Sequence, residues 1–297
     1  MIINSANLNA IRVGFSTAFR RGLGQGVSAY GRIATTVPST TKENKYGWLG
    51  KLPNLREWIG PRAVHGIAEH DYSIRNKTYE LTIGVDRDDI KDDNIGVYDP
   101  LFVEMGESVA AQPDLLSFAL LKAGFSTECY DKQAYFDTDH PVLNDVGTVV
   151  SVANTDGGAG TPWFLIDGSR ALKPIIFQDR EAPSFVAMDN ADDPAVFSKK
   201  EFQYGVDCRR NVGFGFWQFA WGSKQPLDAA SYGNARAVLG GMKGDYGRPL
   251  GLKPSILIVP PAYESAGRKI LNSEYATGGG TNEWKGTAEL LVVPWLA

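Results

Sequence analysis

Asp137-Thr138-Asp139-His140-Pro141 is the densest set of chemistry-bearing residues in the chain. Two carboxylates beside an imidazole are the donor types that hold a divalent metal or act as a general base. A hard cation, however, needs several converging oxygens, and a zinc site draws its ligands from separate elements. No other part of the sequence supplies them, and a polar loop stopped by Pro141 accounts for the same residues. His65 and His70 stand five apart in a segment read as extended, so they point to opposite faces and share no ion. With three histidines in all, a Ser-His-Asp triad would have to use one of these. No G-x-S-x-G elbow accompanies them. Catalytic, metal-ligating and cofactor-binding residues are therefore all expected to be none.

The remaining motifs have plain readings. Gly22-Leu23-Gly24-Gln25-Gly26 follows a helix instead of a strand and misplaces the third glycine of a dinucleotide fingerprint. Gly278-Gly279-Gly280-Thr281 lacks the lysine of a phosphate loop and reads as a flexible connection. Asp86 to Asp93 lacks the central Gly and terminal Glu of a calcium loop and reads as a solvated acidic stretch. Arg12, Arg20, Arg21 and Arg32 form the one locally basic segment. They could pair with a neighbouring copy, stay solvated, or face nucleic acid without sequence preference. Cys129 and Cys208 have no CxxC spacing and read as two reduced thiols.

Composition narrows the class further. The 297 residues are 43% hydrophobic and 22% charged with a net charge of -4, ordinary for a globular chain and wrong for a dedicated nucleic-acid binder. No apolar run approaches the ~20 residues that span a bilayer. The first residues lack the basic and apolar stretches of a signal peptide.

These residues must be carried by a recognisable order of elements. Leu8, Ile11, Phe15, Ala18 and Phe19 share one face of a helix, capped by Asn4 or Ser5 and ended by Gly22, Gly24 and Gly26. Such a helix, followed by a polar linker over 35–45, is an arm that docks on the body or on a neighbour. Tyr79, Leu81, Ile83 and Val85 alternate with polar residues as a one-faced strand. An Asn76-Lys77 turn would set Ile74 opposite Tyr79 in a hairpin. Leu101 to Lys122 is helical, with Pro113 expected to kink it or split it into two abutting helices. Short strands are expected at 173–178, 202–206 and 212–220. The last seventy residues give a helix (Tyr232, Ala235, Leu239, Met242) and a buried strand, Ile256-Leu257-Ile258-Val259. A second helix (Ala262, Ala266, Ile270) and a second strand, Leu290-Leu291-Val292-Val293, follow.

Several stretches together resemble the major head subunit family of Mu-like phages and prophages. They include Lys45-Tyr46-Gly47-Trp48-Leu49-Gly50 with Trp58-Ile59-Gly60, and Glu80-Leu81-Thr82-Ile83-Gly84-Val85-Asp86-Arg87-Asp88-Asp89-Ile90. Phe136-Asp137-Thr138-Asp139-His140-Pro141 and Gly247-Arg248-Pro249-Leu250-Gly251 follow in order. Thr281-Asn282-Glu283-Trp284-Lys285-Gly286-Thr287-Ala288-Glu289-Leu290-Leu291-Val292-Val293-Pro294-Trp295-Leu296 is the most specific.

The resemblance implies an α+β fold of the tailed-phage and herpesvirus (Hong Kong phage-like) capsid type. Residues 1–45 would be an N-terminal arm and 46–86 the projecting E-loop. Residues 87–225 would be the peripheral domain with its spine helix, and 226–297 the axial domain and C-terminal strand. It implies self-assembly into hexamers and pentamers of an icosahedral head around double-stranded DNA, made in the host cytoplasm. Partners would be other copies, a separate scaffold and protease, a portal, decoration proteins and packaged DNA, with no membrane and no cofactor. Arg62, Arg75, Lys77 and Glu80 would meet a neighbouring copy. The rival readings are an encapsulin-like compartment shell and, further off, a hydrolase using His140.

Overall fold

A computed structural model of the chain describes residues 2–50, 72–276 and 278–297. The Asn4 side chain accepts a hydrogen bond from the Asn7 amide at 2.8 Å and starts the first helix, α1 (Ser5–Gln25). Leu8, Ile11, Phe15, Ala18 and Phe19 are all buried on its inner face, as their spacing predicts. Strands β1 (Ala34–Pro38) and β2 (Glu43–Lys45) occupy the stretch expected to be a linker. Strands β3 (Ser73–Arg75) and β4 (Lys77–Asp86) lead into helices α2 (Arg87–Lys91) and α3 (Asp99–Ala123). Four short strands follow: β5 (His140–Leu143), β6 (Val149–Val152), β7 (Thr155–Gly158) and β8 (Trp163–Ile166). Two long strands, β9 (Ile175–Met188) and β10 (Glu201–Phe214), flank the short helix α4 (Pro194–Lys199). The chain closes with β11 (Ala220–Lys224), α5 (Ala229–Gly240), β12 (Ile256–Val259), α6 (Glu264–Leu271) and β13 (Glu289–Val292).

One sheet runs in the order β1-β9-β10-β4. Its register sets Val85 against Phe202, Ile83 against Tyr204, Leu81 against Val206 and Tyr79 against Cys208. Of these, Val85, Phe202, Tyr204 and Val206, with Ile83 packed against them, share a core with α1 and α3. The expected hairpin of Ile74 against Tyr79 does not form. Ile74 pairs instead with Asn44, in a small β2–β3 ladder. The cause is Asn76, which is buried and makes a corner. Its amide donates to Ser39 Oγ at 2.8 Å and to the Thr41 carbonyl at 2.9 Å, and its side-chain oxygen accepts from Gln178 at 2.7 Å. Alternation fixes which face a strand buries, not which strand it pairs with.

The arm helix lies along α3 at unusually close range. A Cβ added at Gly22 would run into the Val103 carbonyl, and one at Gly106 into the carbonyl of Phe19. α1 continues through Gly22, which lies against the backbone of α3, and through Gly24, and Gly26 caps it. Phe15 stacks on Phe102 at 4.1 Å, with Tyr204 edge-on to Phe15 at 5.1 Å. α3 is one helix with Pro113 inside it, not two abutting ones. An interior proline costs roughly 3 kcal/mol, which burial of Phe102, Met105, Phe118 and Leu121 along the same helix offsets.

Beside Pro113, the buried carboxylate of Asp114 reaches back to the segment after α1. It accepts from Ser28 Oγ at 2.6 Å, from the Ala29 amide at 2.9 Å and from the Tyr30 amide at 2.7 Å. The second sheet, β13-β12-β8-β11-β7, forms the heart of the larger core. Every residue of β8 and β12 is buried, as the continuous apolar run 256–259 predicts.

Candidate functional site

His140 opens β5 and is fully buried, its ring stacked on Trp217 at 3.9 Å and 8°. The two aspartates beside it in sequence do not join it. Asp137 accepts from the Thr138 amide, and Asp139 is exposed. The carboxylate facing His140 belongs to Asp131, with Oδ2 lying 2.7 Å from Nδ1. Asp131 sits in a turn closed by the Glu128–Ala134 bridge, and its Oδ1 accepts from the Cys129 thiol at 3.0 Å.

Cys129, Asp131 and His140 thus bring three donor atoms within 4.8 Å of one another. One carboxylate accepts from both neighbours, which accounts for the cluster as a buried hydrogen-bond set, while His140 Nε2 has no partner among the described residues. Burial, then the nearby Asp131 charge, pushes the Cys129 thiol upward, away from the thiolate a metal requires. Burial also pushes the Asp131 carboxyl up, but the hydrogen bonds from His140 and Cys129 outweigh it and hold it below the ordinary value.

The other sequence candidates are used locally. Asp86 caps α2 by accepting from the Asp88 amide at 2.6 Å, and Asp89 accepts from the Tyr98 hydroxyl at 2.6 Å. In the basic segment, Arg21 pairs with Asp99 at 2.6 Å, Arg32 pairs with Glu289, and Arg12 approaches Asp189 at 4.0 Å. Those arginines serve the arm's own docking. His65, His70 and Arg62 lie outside the described residues.

Arg75, Lys77 and Glu80 are exposed. Lys77 and Glu80, three apart on β4, point to opposite faces of the strand. Glu80 stands on the rim of a groove of about 690 Å³ between the end of α1, α3, β4 and the C-terminal turn. Its walls carry Val27, Leu81, Leu115 and Trp295, all exposed, and its rim adds Glu104 and Glu107. Among the described residues β4 is an edge strand, paired only with β10. No sequence pattern announced this groove, because its residues come from five distant segments.

Among the described residues no set of side chains converges on a substrate; what they offer is exposed edge, groove and sheet face. A fold of this kind is that of a bacteriophage capsid subunit. It superimposes on a chain of the procapsid of bacteriophage JBD30 with a TM-score of 0.88 at 43% identity, covering 99% of this chain and 100% of that one. A chain of the JBD30 capsid decorated with minor capsid protein trimers matches at 0.78 and 33% identity, covering 93% of each. The chain belongs to the Mu-like prophage major head subunit gpT family, whose profile matches residues 8–296. It is 44% identical to the major capsid protein of Escherichia phage Mu over the whole of both chains. It is likewise 44% identical to the Mu-like prophage FluMu major head subunit of Haemophilus influenzae, over 94% of each. The chain is a shell-building component of the virion and not an enzyme. Neither the encapsulin-like nor the hydrolase reading gains support. Among the described residues no helix is long and apolar enough to cross a membrane.

Proposed function

We propose that this subunit closes into hexamers and pentamers that tile an icosahedral head around double-stranded DNA. The observation that supports this reading is the full-length likeness to a procapsid subunit at TM-score 0.88. Head-to-tail contacts around an axis close into rings, and rings can tile a shell. Each stable contact typically buries ~1,200–2,000 Å², so a subunit with several neighbours needs projecting parts. We assign residues 1–45 to the arm and 46–72 to the projecting loop, because β2 and β3 pair at its two ends. β4 then goes with the peripheral sheet. β7, β8 and β11 join β12 and β13 in the axial domain, which begins well before residue 226.

In this reading Arg62, Arg75, Lys77 and Glu80 contact neighbouring copies. A separate scaffold and protease, a portal and the packaged DNA are further partners, and assembly takes place in the host cytoplasm. A decorating minor capsid protein, as in the JBD30 relative, is another. Electron microscopy of the chain expressed with its neighbouring gene products tests the proposal. Closed shells are expected; a persistent monomer overturns it. Reversing charge at Arg75 and Lys77 together (R75E, K77E) is expected to lower the yield of shells, and unchanged yield removes those two from the contact.

A further inference from the structure

Cys208 and Arg210 stand two apart on β10, so their side chains share one face of the strand. That face is turned toward α3, where the Cys208 thiol donates to Gln112 Oε1 at 3.6 Å. The same sulfur accepts from Arg210 Nε at 3.2 Å. Arg210 is 5% exposed and forms no ion pair among the described residues. Its Nη2 has no hydrogen-bond partner among them either. A guanidinium buried without a counter-charge is costly, and an orphaned donor adds to the cost.

The Nε and Nη2 donors lie side by side on one edge of a guanidinium, a fork that fits two adjacent acceptors. In this chain the sulfur of Cys208 takes one prong and the other is empty. An oxygen bonded to that sulfur would fill it. Cys208 also lines the groove between α1, α3 and β4, which gives a small solute a route to the thiol.

We infer that Cys208 is a peroxide-reactive thiol, oxidised to a sulfenic acid whose oxygen is held by Arg210. The sulfur attacks one oxygen of a hydroperoxide; the S–O bond forms as the O–O bond breaks. An electron pair passes from sulfur to the peroxide, and the second oxygen leaves as water or alcohol with the thiol proton. A preorganised cationic donor beside the reacting atoms lowers the barrier to such a step. The chain's other cysteine, Cys129, is buried in the larger core with its thiol on Asp131. A sulfenic acid at Cys208 therefore has no resolving thiol beside it in the subunit. Cys129 in turn serves as an internal control, a thiol bound to a carboxylate instead of a guanidinium.

Treating the unassembled chain with hydrogen peroxide tests this. Dimedone traps sulfenic acids, and mass spectrometry assigns the labelled cysteine. Cys208 is expected to label well before Cys129, and faster than the thiol of glutathione in the same solution. Equal labelling of the two cysteines, or a rate at or below that of glutathione, overturns the inference. Two substitutions, Arg210→Met and Arg210→Lys, read the part played by the fork, each checked for folding by its denaturant midpoint. Lysine keeps the charge but not the paired donors. Both variants should label Cys208 severalfold more slowly than the parent, and a parent-like rate in either folded variant removes Arg210 from the reaction and overturns the inference. If neither variant folds, the comparison with glutathione in the parent chain decides alone.

Discussion

Strand β9 passes through two environments, and the contrast divides the molecule. At Ile175, Ile176, Phe177 and Gln178 every residue is buried, whereas from Ser184 to Met188 burial alternates. The first part adjoins the larger core, which also encloses β8, β11 and β12. The second lies where α1 and α3 cover only one face of the four-stranded sheet. There Phe185 and Ala187 turn inward, while Val186 and Met188 are 50% and 43% exposed. Phe197, in α4 at the end of the same hairpin, is 91% exposed. One region satisfies its apolar residues within the subunit. The other leaves some unsatisfied, as expected of a chain whose working state is a shell.

The comparison breaks if both regions respond alike to truncation. Ile258→Ala in β12 should cost the unassembled subunit about 3–4 kcal/mol, the loss of a packed aliphatic chain plus its cavity. A denaturant midpoint measures it. A cost under about 1 kcal/mol would mean this sheet is loosely packed. The one-faced region has a strong point of its own in Asp114. Asp114→Ala removes the acceptor of three donors and should cost about 3 kcal/mol. The same variant should open the 26–30 segment to limited proteolysis. Intact protection would show that glycine-mediated packing alone holds the arm.

Asp131→Asn should cost about 2 kcal/mol at neutral pH, as the charged acceptor of two buried donors is lost. The folded Asp131 carboxyl lies below its ordinary value. Its contribution is therefore present above about pH 3.9 and fades as pH falls through the folded value. Midpoints of the parent and the variant should converge on acidification; parallel curves would remove the linkage. Smallest of all, Val186→Ala with Met188→Ala should change subunit stability by less than about 0.5 kcal/mol. The same pair should reduce shell yield, which separates a surface kept for neighbours from one that is merely exposed.

The sequence told most where one period governed one element. The inner face of α1, the helix over Leu101–Lys122 and the run 256–259 all stand where spacing puts them. It told less where partners are remote. β9 and β10 extend to fourteen residues each, but Pro183, Gly205 and Gly213 interrupt their apolar pattern, so only fragments were visible. The β4 partner could not be read, since alternation is silent on pairing. At the buried cluster, His140 drew attention but Asp131 and Cys129 did not. They lie in a preceding turn, and only the fold brings them to the imidazole. Asp114 looked like a helix residue after a proline; its role depends on where the chain returns from α1.

The backbone contact at Gly22 and Gly106 has a mechanical consequence. Displacing α1 by one turn, about 5.4 Å along its neighbour, would set Ala18 against the Val103 carbonyl, where its methyl has no room. The opposite displacement runs the helix off its end. The arm is thus keyed like a bolt in a slot: it can lift away or stay, but it cannot creep. Any rearrangement of the shell that moves this segment must swing it as a rigid lever about residues 26–30.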